Sequence, residues 1–372
     1  MHKGVHQFIT WIRDNPEFPD VEMADAASSS ALSSIEDRIH APLPEDLGIV
    51  LQRHNGGALP SGTLLSAGDE GENSILRELI DLAARLGCSP HDPEVLLPFF
   101  RNDDGGVLAF DRTAGPVADT WPVVDYYADS GDLRLVHRTF DGWCRLSVAE
   151  WTAPDFDEAF TLTKYLESGQ RHVRMEPDVS VAHATVAHAL RRAGRPQEAL
   201  NNYLQGARCL PSQPWSDWEA LKLAVLLGDT KSALEAGGRI SSRAPQSRWA
   251  ERETTPELVA QVLGGIADKI VPKEAVLRLL DQLADQATSD EARAVISGLR
   301  RALNGGDPLP PPNPVRELAV APLPDADAFF EALRQAYFEG RVRDDDLLLE
   351  PQYQALRKTH DFAQILRTPR EF

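Results

Sequence analysis

Strand-like patterning is confined to residues 95–140, and the apolar positions on both sides of it recur with helical period. Val95–Phe100 and Val107–Phe110 are short apolar runs joined by Asn102-Asp103-Asp104-Gly105-Gly106, a sequence suited to a hairpin turn. Val123–Tyr127 and Leu133–Phe140 continue the pattern. Ahead of these strands, Val5, Phe8, Ile9 and Ile12 predict a first helix ended by Pro16 and Pro19. Ser28-Ser29-Ser30 caps a second helix carrying Leu32, Ile35 and Ile39. A third starts at Pro44, has Glu45 and Asp46 in its first turn, and stops at Asn55-Gly56-Gly57. A polar stretch to Asn73 reads as loop, and Ser74–Leu86 as a helix stopped by Gly87. Helices followed by a run of strands predict an α+β domain built on an antiparallel sheet.

After Trp151 the strand signal vanishes, and residues up to Leu303 read as successive helices. A chain of 372 residues exceeds the roughly 100–200 of one domain, so a separate helical domain is expected. It carries an internal repeat. In Ala193-Gly194-Arg195-Pro196-Gln197-Glu198-Ala199-Leu200 and Leu227-Gly228-Asp229-Thr230-Lys231-Ser232-Ala233-Leu234, both the glycines and the alanines lie 34 residues apart. Gly suits the turn between paired helices and Ala their close approach, and 34 is the period of tetratricopeptide repeats, which this segment resembles. Tyr203 takes the bulky position of the first unit, and a third unit around Ala267 keeps the periodicity without the glycine. Pro308, Pro310, Pro311, Pro312 and Pro314 mark a stiff linker. Tyr353, Leu356, Phe362 and Leu366 give the last helices an apolar face able to cap the repeats. The expected division is therefore 1–155, 156–304, linker 305–324 and cap 325–372.

Charge narrows the range of partners. The 57 acidic and 38 basic residues leave a net charge of -19, and residues 1–155 alone hold 26 acidic against 11 basic. Nucleic acid is excluded as a direct partner on that balance. No apolar run approaches the roughly 18 residues of a membrane span, and Phe8–Ile12 is too short for a signal-peptide core, so a cytoplasmic protein is expected. Cys88, Cys144 and Cys209 read as reduced thiols, with Cys144 in a strand-like core segment. Cys88 with His91 lacks a second ligand pair, and His183 and His188 are five apart, so no metal site is expected. The Gly pairs at 56–57, 105–106 and 305–306 fit no phosphate-binding turn. Asp344-Asp345-Asp346 reads as an acidic, solvated helix start. No cofactor and no catalytic constellation follow, and the chain is expected not to be an enzyme.

What remains is a binding surface. Asp69, Glu70 and Glu72 lie in the long loop, Asp103 and Asp104 in the hairpin turn, and Asp129, Asp132 and Asp141 around the later strands. Together they would attract a basic protein, with Trp121, Tyr126 and Tyr127 as anchors. Set against this, single carboxylates usually just solvate loops, and alternation sends Tyr126 or Tyr127 into the core.

Ile35–Ile39, the Leu43-Pro44-Glu45-Asp46-Leu47 step and His54-Asn55-Gly56-Gly57 resemble the opening of the SUKH superfamily. Leu97–Phe100, Gly106–Asp111, Pro122–Val124 and Leu146–Trp151 follow in that family's order, so the resemblance covers about residues 30–152. The family includes a fungal regulator of cell-wall synthesis and many bacterial proteins. The resemblance implies a protein-binding α+β domain, with Leu43, Pro44, Asn55, Gly56 and Gly57 as structural motif residues. In bacteria such domains often serve as immunity proteins that neutralise a toxin, frequently a nuclease with a basic cleft. The alternative is a non-enzymatic scaffold or adaptor that binds a second protein through the repeats.

Overall fold

Ser28 accepts a hydrogen bond from the Ala31 amide and starts helix α2, Ser29–Ile39, whose Leu32, Ile35 and Ile39 are buried as their spacing requires. The computed structural model describes residues 2–18, 20–68, 71–86, 93–113, 121–127, 132–154, 156, 159–211, 213–242, 273–286, 290–305, 318–357 and 359–370. These fall into two units, Met1–Ala159 with Gln170–Ala182, and Phe160–Gly169 with His183–Phe372.

In the first unit, α1 (Lys3–Asp14), β1 (Glu22–Met23), α2 and α3 (Glu45–Leu51) precede β2 (Gly57–Leu59) and β3 (Gly62–Leu64). Helix α4 (Ile75–Leu86), β4 (Leu96–Asn102), β5 (Val107–Asp111), β6 (Val123–Tyr127), β7 (Asp132–His137) and α5 (Phe140–Trp151) follow. The seven strands form one sheet in sequence order, each antiparallel to the next. Alternation along β5 sends Leu108 and Phe110 into the larger core and Ala109 into a smaller one with Leu82, Leu96, Val124 and Tyr126. On β4 a register shift between Pro98 and Phe100 breaks that alternation, so Phe99 and Phe100 both reach the larger core. There they meet Trp143 of α5, at ring separations of 5.0 and 5.2 Å, and Phe8 of α1 packs on the same indole at 5.2 Å. Rings buried this way contribute roughly 1.5–3 kcal/mol each.

Three expectations are corrected here. Helix α3 ends at Leu51 rather than at Asn55-Gly56-Gly57, and that tripeptide launches β2. The stretch expected to be loop up to Asn73 contains β2 and β3, three residues each. The expected strand to Phe140 stops at His137, because Thr139 accepts the Gly142 amide at 3.1 Å and starts α5. Cys144 is therefore a buried helical residue.

The second unit is helical. Its first described members are the N-terminal part of α6 (Leu162–Met175), the C-terminal part of α7 (Ser180–Arg192), α8 (Pro196–Gly206), α9 (Pro214–Leu227) and α10 (Thr230–Ser242). Then come α11 (Lys273–Gln286), α12 (Asp290–Leu303), α13 (Ala326–Phe338), α14 (Asp344–Leu349), α15 (Pro351–Leu356) and α16 (Ala363–Leu366). Gly194 and Gly228 have φ of +71° and +73°, so the repeated glycine makes the left-handed turn before α8 and before α10. Ala199 and Ala233 are buried at equivalent positions. Helix α9 is buried on most of its surface, with α8, α10 and α14 against it, and its buried Asp217 and Lys222 are held in ion pairs, the first with Arg239 and the second with Glu219 and Asp345. Tyr353, Leu356, Phe362 and Leu366 are buried, and Arg357 donates to the Val225 carbonyl of α9 at 2.9 Å. The third repeat around Ala267 and the prolines from 308 to 314 lie outside the described residues. Among the described residues no helix is long and apolar enough to cross a membrane.

Candidate partner-binding face

An antiparallel sheet whose neighbours are consecutive in sequence brings alternate turns to the same end. The β2–β3 and β4–β5 turns, the end of β6 and the start of β7 therefore share one end of the sheet. Asp103 and Asp104 are exposed in the β4–β5 turn, which Gly105 closes at φ +84° and the Asn102 amide closes on the Gly106 carbonyl at 2.8 Å. The Asp103 amide donates to Ser61 in the β2–β3 turn. Tyr127 and Asp132 pair through their backbones across β6 and β7 at this same end. Glu72 is exposed nearby, its carbonyl accepting from Arg101 of β4 at 3.4 Å.

The cations close to this end are already committed. Glu78 of α4 is fully buried, with Arg85 on one carboxylate oxygen and Arg101 on the other. Arg101 also donates to Asn73 at 3.1 Å, and Arg77 pairs with Asp81 at 3.1 Å. A shallow cavity of about 410 Å³ lies among Glu72, Arg77, Asp81 and Arg101. Arg77, Arg85 and Arg101 exceed Glu78 and Asp81 by one charge, so Glu72, Asp103 and Asp104 leave a net surplus of two negative charges at this exposed rim.

Other expected site residues lie elsewhere. Trp121 and Tyr126 are 1 % and 2 % exposed, which corrects the expectation that they anchor a partner. Strand parity puts Tyr126 in the smaller core beneath Arg85, and Trp121 sits against Phe110 with Arg112 over its ring. Asp141 belongs to the first turn of α5 and accepts from the amides of Gly4 and Val5 at 2.5 and 3.3 Å, so it caps α1. Asp69, Glu70, Asp129, Cys88 and His91 lie outside the described residues, as do the side chains of Tyr127 and Asp132.

The motif residues hold the sheet's start in place. Leu43 is buried and Pro44 precedes α3 as its N-cap. Asn55 accepts the Ala67 amide at 2.7 Å. Gly57, at φ +136°, has the Glu22 carbonyl of β1 only 2.2 Å from where a Cβ would stand, and Gly56 is crowded by Leu64 and Ser66. Burial pushes the Cys144 thiol well above its ordinary value, which keeps it protonated and poorly nucleophilic.

In the helical unit, Asp344, Asp345 and Asp346 do more than solvate a helix start. Asp344 pairs with buried Arg191, Asp345 with Lys222 at 3.2 Å, and Asp346 accepts the Arg343 amide at 2.8 Å. Asp344 and Asp345 border a cavity of about 700 Å³ that is also lined by His188, Tyr203, Trp215 and Arg370. Burial, with Arg192, Arg370 and Arg191 nearby, pushes His188 down to about 4. The unfolded chain takes up this proton near 6.5 and the folded chain only near 4, so His188 weakens the fold as pH falls through that window. The loss is up to about 3 kcal/mol, less whatever solvent screens. In urea titrations at pH 7 and 4.5, His188→Phe should shrink the acid-induced loss; an unchanged loss would show that His188 is not its source.

Among the described residues, His137, His172 and Glu176 are a group able to hold a metal ion. Sequence reading missed them. His172 in the last turn of a helix and Glu176 just past its end are four residues apart, a local signal that was available, but only the fold adds His137.

No curated protein matches the chain. Residues 26–145, running from the approach to α2 through the sheet into α5, match the SMI1 / KNR4 family (SUKH-1) and form a domain of that family.

Proposed function

We propose that the chain is a cytoplasmic immunity-type inhibitor whose first unit captures a basic toxin domain, such as a nuclease, and covers its active surface. The observation that carries this reading is the exposed acidic rim of Glu72, Asp103 and Asp104 at one end of the SUKH-1 sheet, beside cations already paired. Asp69, Glu70, Asp129 and Asp132 belong to the same proposal by sequence position. Such a rim accelerates encounter and blocks a nucleic-acid cleft by charge complementarity, with no catalytic step of its own. Functional boundaries at 1–155, 156–304, 305–324 and 325–372 go with it.

In the full chain carrying Glu72→Lys, Asp103→Lys and Asp104→Lys, affinity for a toxin domain encoded beside this gene should fall by about 100-fold at low salt. The salt dependence should flatten and the melting temperature should hold, since all three side chains are exposed. Unchanged affinity would remove this rim from the interface.

A second reading rests on the cavity within the helical unit, where tetratricopeptide-like pairs would recruit another protein and make the chain an adaptor. Capture that survives the three charge reversals but disappears with Trp215→Ala would favour it.

A further inference from the structure

His137 is the last residue of β7, and His172 and Glu176 lie one turn apart near the end of α6 (Leu162–Met175), in the part of that segment that belongs to the first unit. His137 Nδ1 stands 2.6 Å from Glu176 Oε2, and His172 Nε2 stands 3.4 Å from the same oxygen. The two imidazoles tilt by 31° with centroids 4.9 Å apart. All three ligand atoms lie within 4.8 Å of one another. His137 and Glu176 are 6 % and 5 % exposed. His172 Nε2 is buried and makes no hydrogen bond of good geometry, although it is aimed at a carboxylate.

The surroundings hold this arrangement. The Arg138 amide donates to Glu176 Oε1 at 2.9 Å, which turns Oε2 toward the imidazoles. Gly142 of α5 leaves the room the carboxylate occupies, since a Cβ there would fall 2.6 Å from Oε1. Two imidazole nitrogens and one carboxylate oxygen, oriented by a backbone donor and sheltered from water, make a donor set suited to zinc-class cations, whereas Mg²⁺ and Ca²⁺ prefer all-oxygen ligands.

We propose that His137 Nδ1, His172 Nε2 and Glu176 Oε2 bind one divalent cation of the zinc class, clamping the end of α6 to the end of the sheet. Metal–ligand bonds of about 2.0–2.2 Å around a tetrahedral ion separate ligand atoms by roughly 3.2–3.6 Å. The His172–Glu176 distance already matches, His137 needs to withdraw from Glu176 by less than about 1 Å, and the two imidazole nitrogens, which lie within 4.8 Å of each other, need to settle in the same range. The site is independent of the acidic rim, so partner capture and metal binding can fail separately.

The test is calorimetric titration of chelator-stripped full chain with Zn²⁺, alongside the visible absorption of a Co²⁺ complex. One ion per chain is expected, with a tetrahedral Co²⁺ spectrum and a raised melting temperature. Loss of an orienting group alone weakens metal sites by about 10–100-fold, so His172→Ala should weaken Zn²⁺ binding by at least about 100-fold and abolish the spectrum. His172→Phe keeps the ring's volume and covers the case in which the alanine variant fails to fold. Absence of saturable Zn²⁺ binding to the wild-type chain, or binding unaltered in a folded His172 variant, would overturn the proposal and leave a hydrogen-bonded latch.

Discussion

Replacing Asp344 by Ala is expected to lower the stability of the helical unit by about 3–5 kcal/mol. The reason is what it leaves behind. Arg191 is 3 % exposed, donates to Asp344 through Nε at 3.1 Å and also through Nη2, and reaches the Leu366 carbonyl at 3.3 Å. Tyr337 adds a hydroxyl to Asp344 at 2.9 Å, and its ring lies under both Arg191 and Arg370. Without the carboxylate a buried guanidinium loses its countercharge, whereas a double variant Asp344→Leu with Arg191→Met should recover most of the loss. Burial alone would raise the acid's pKa, but Arg191, Arg370 and Lys222 hold it down at about 2, against 3.8 in an unfolded chain. The stabilisation is therefore complete above about 4 and disappears as pH falls toward 2, a span of roughly 2 kcal/mol. Urea unfolding from pH 5 to 2 should show that slope in the wild type and not in Asp344→Asn. Equal slopes would mean that other carboxylates set the acid response.

Gly57→Ala is expected to cost about 3 kcal/mol, because φ of +136° strains any L side chain and the new methyl meets the backbone of β1. Gly105 separates the two effects. It also has positive φ, at +84°, but a Cβ there meets nothing within 4 Å, so Gly105→Ala should cost only about 1 kcal/mol. Thermal melts of the two variants give the comparison. Equal losses would show that the close approach of β1 and β2 contributes nothing beyond backbone strain.

The elements legible in the sequence were those long enough to display a period. Helices α1, α2 and α4 and the β4–β5 hairpin carry their signals within one window of apolar spacing or one turn. Strands β2 and β3, at three residues each, are too short for alternation to show. Helix α5 opens with β-prone Phe140 and Trp143, and the signal that mattered was Thr139 as its cap. The acidic rim was readable as residue types but not as a place, since only strand order brings the hairpin turns together. Asp141 looked like one more surface acid because the amides it caps come from Gly4 and Val5, at the other extreme of the unit. For the same reason His137 stood alone until the fold set it beside His172 and Glu176.

The consecutive strand order bears on how the first unit is made. Each strand pairs with the one synthesised just before it, so the sheet can lengthen by accretion while the chain is still emerging, and the long loops to be closed are the one that carries α2 with α3 and the one that carries α4. The covering of its larger core follows a different schedule. Helix α1 is synthesised before every strand and α5 after all seven, yet the two pack together, and Phe8 of one rests on Trp143 and Trp151 of the other. A nascent chain that has made β7 but not α5 thus has every strand of the sheet but an open aromatic face, and α1 waits for α5 to cover it.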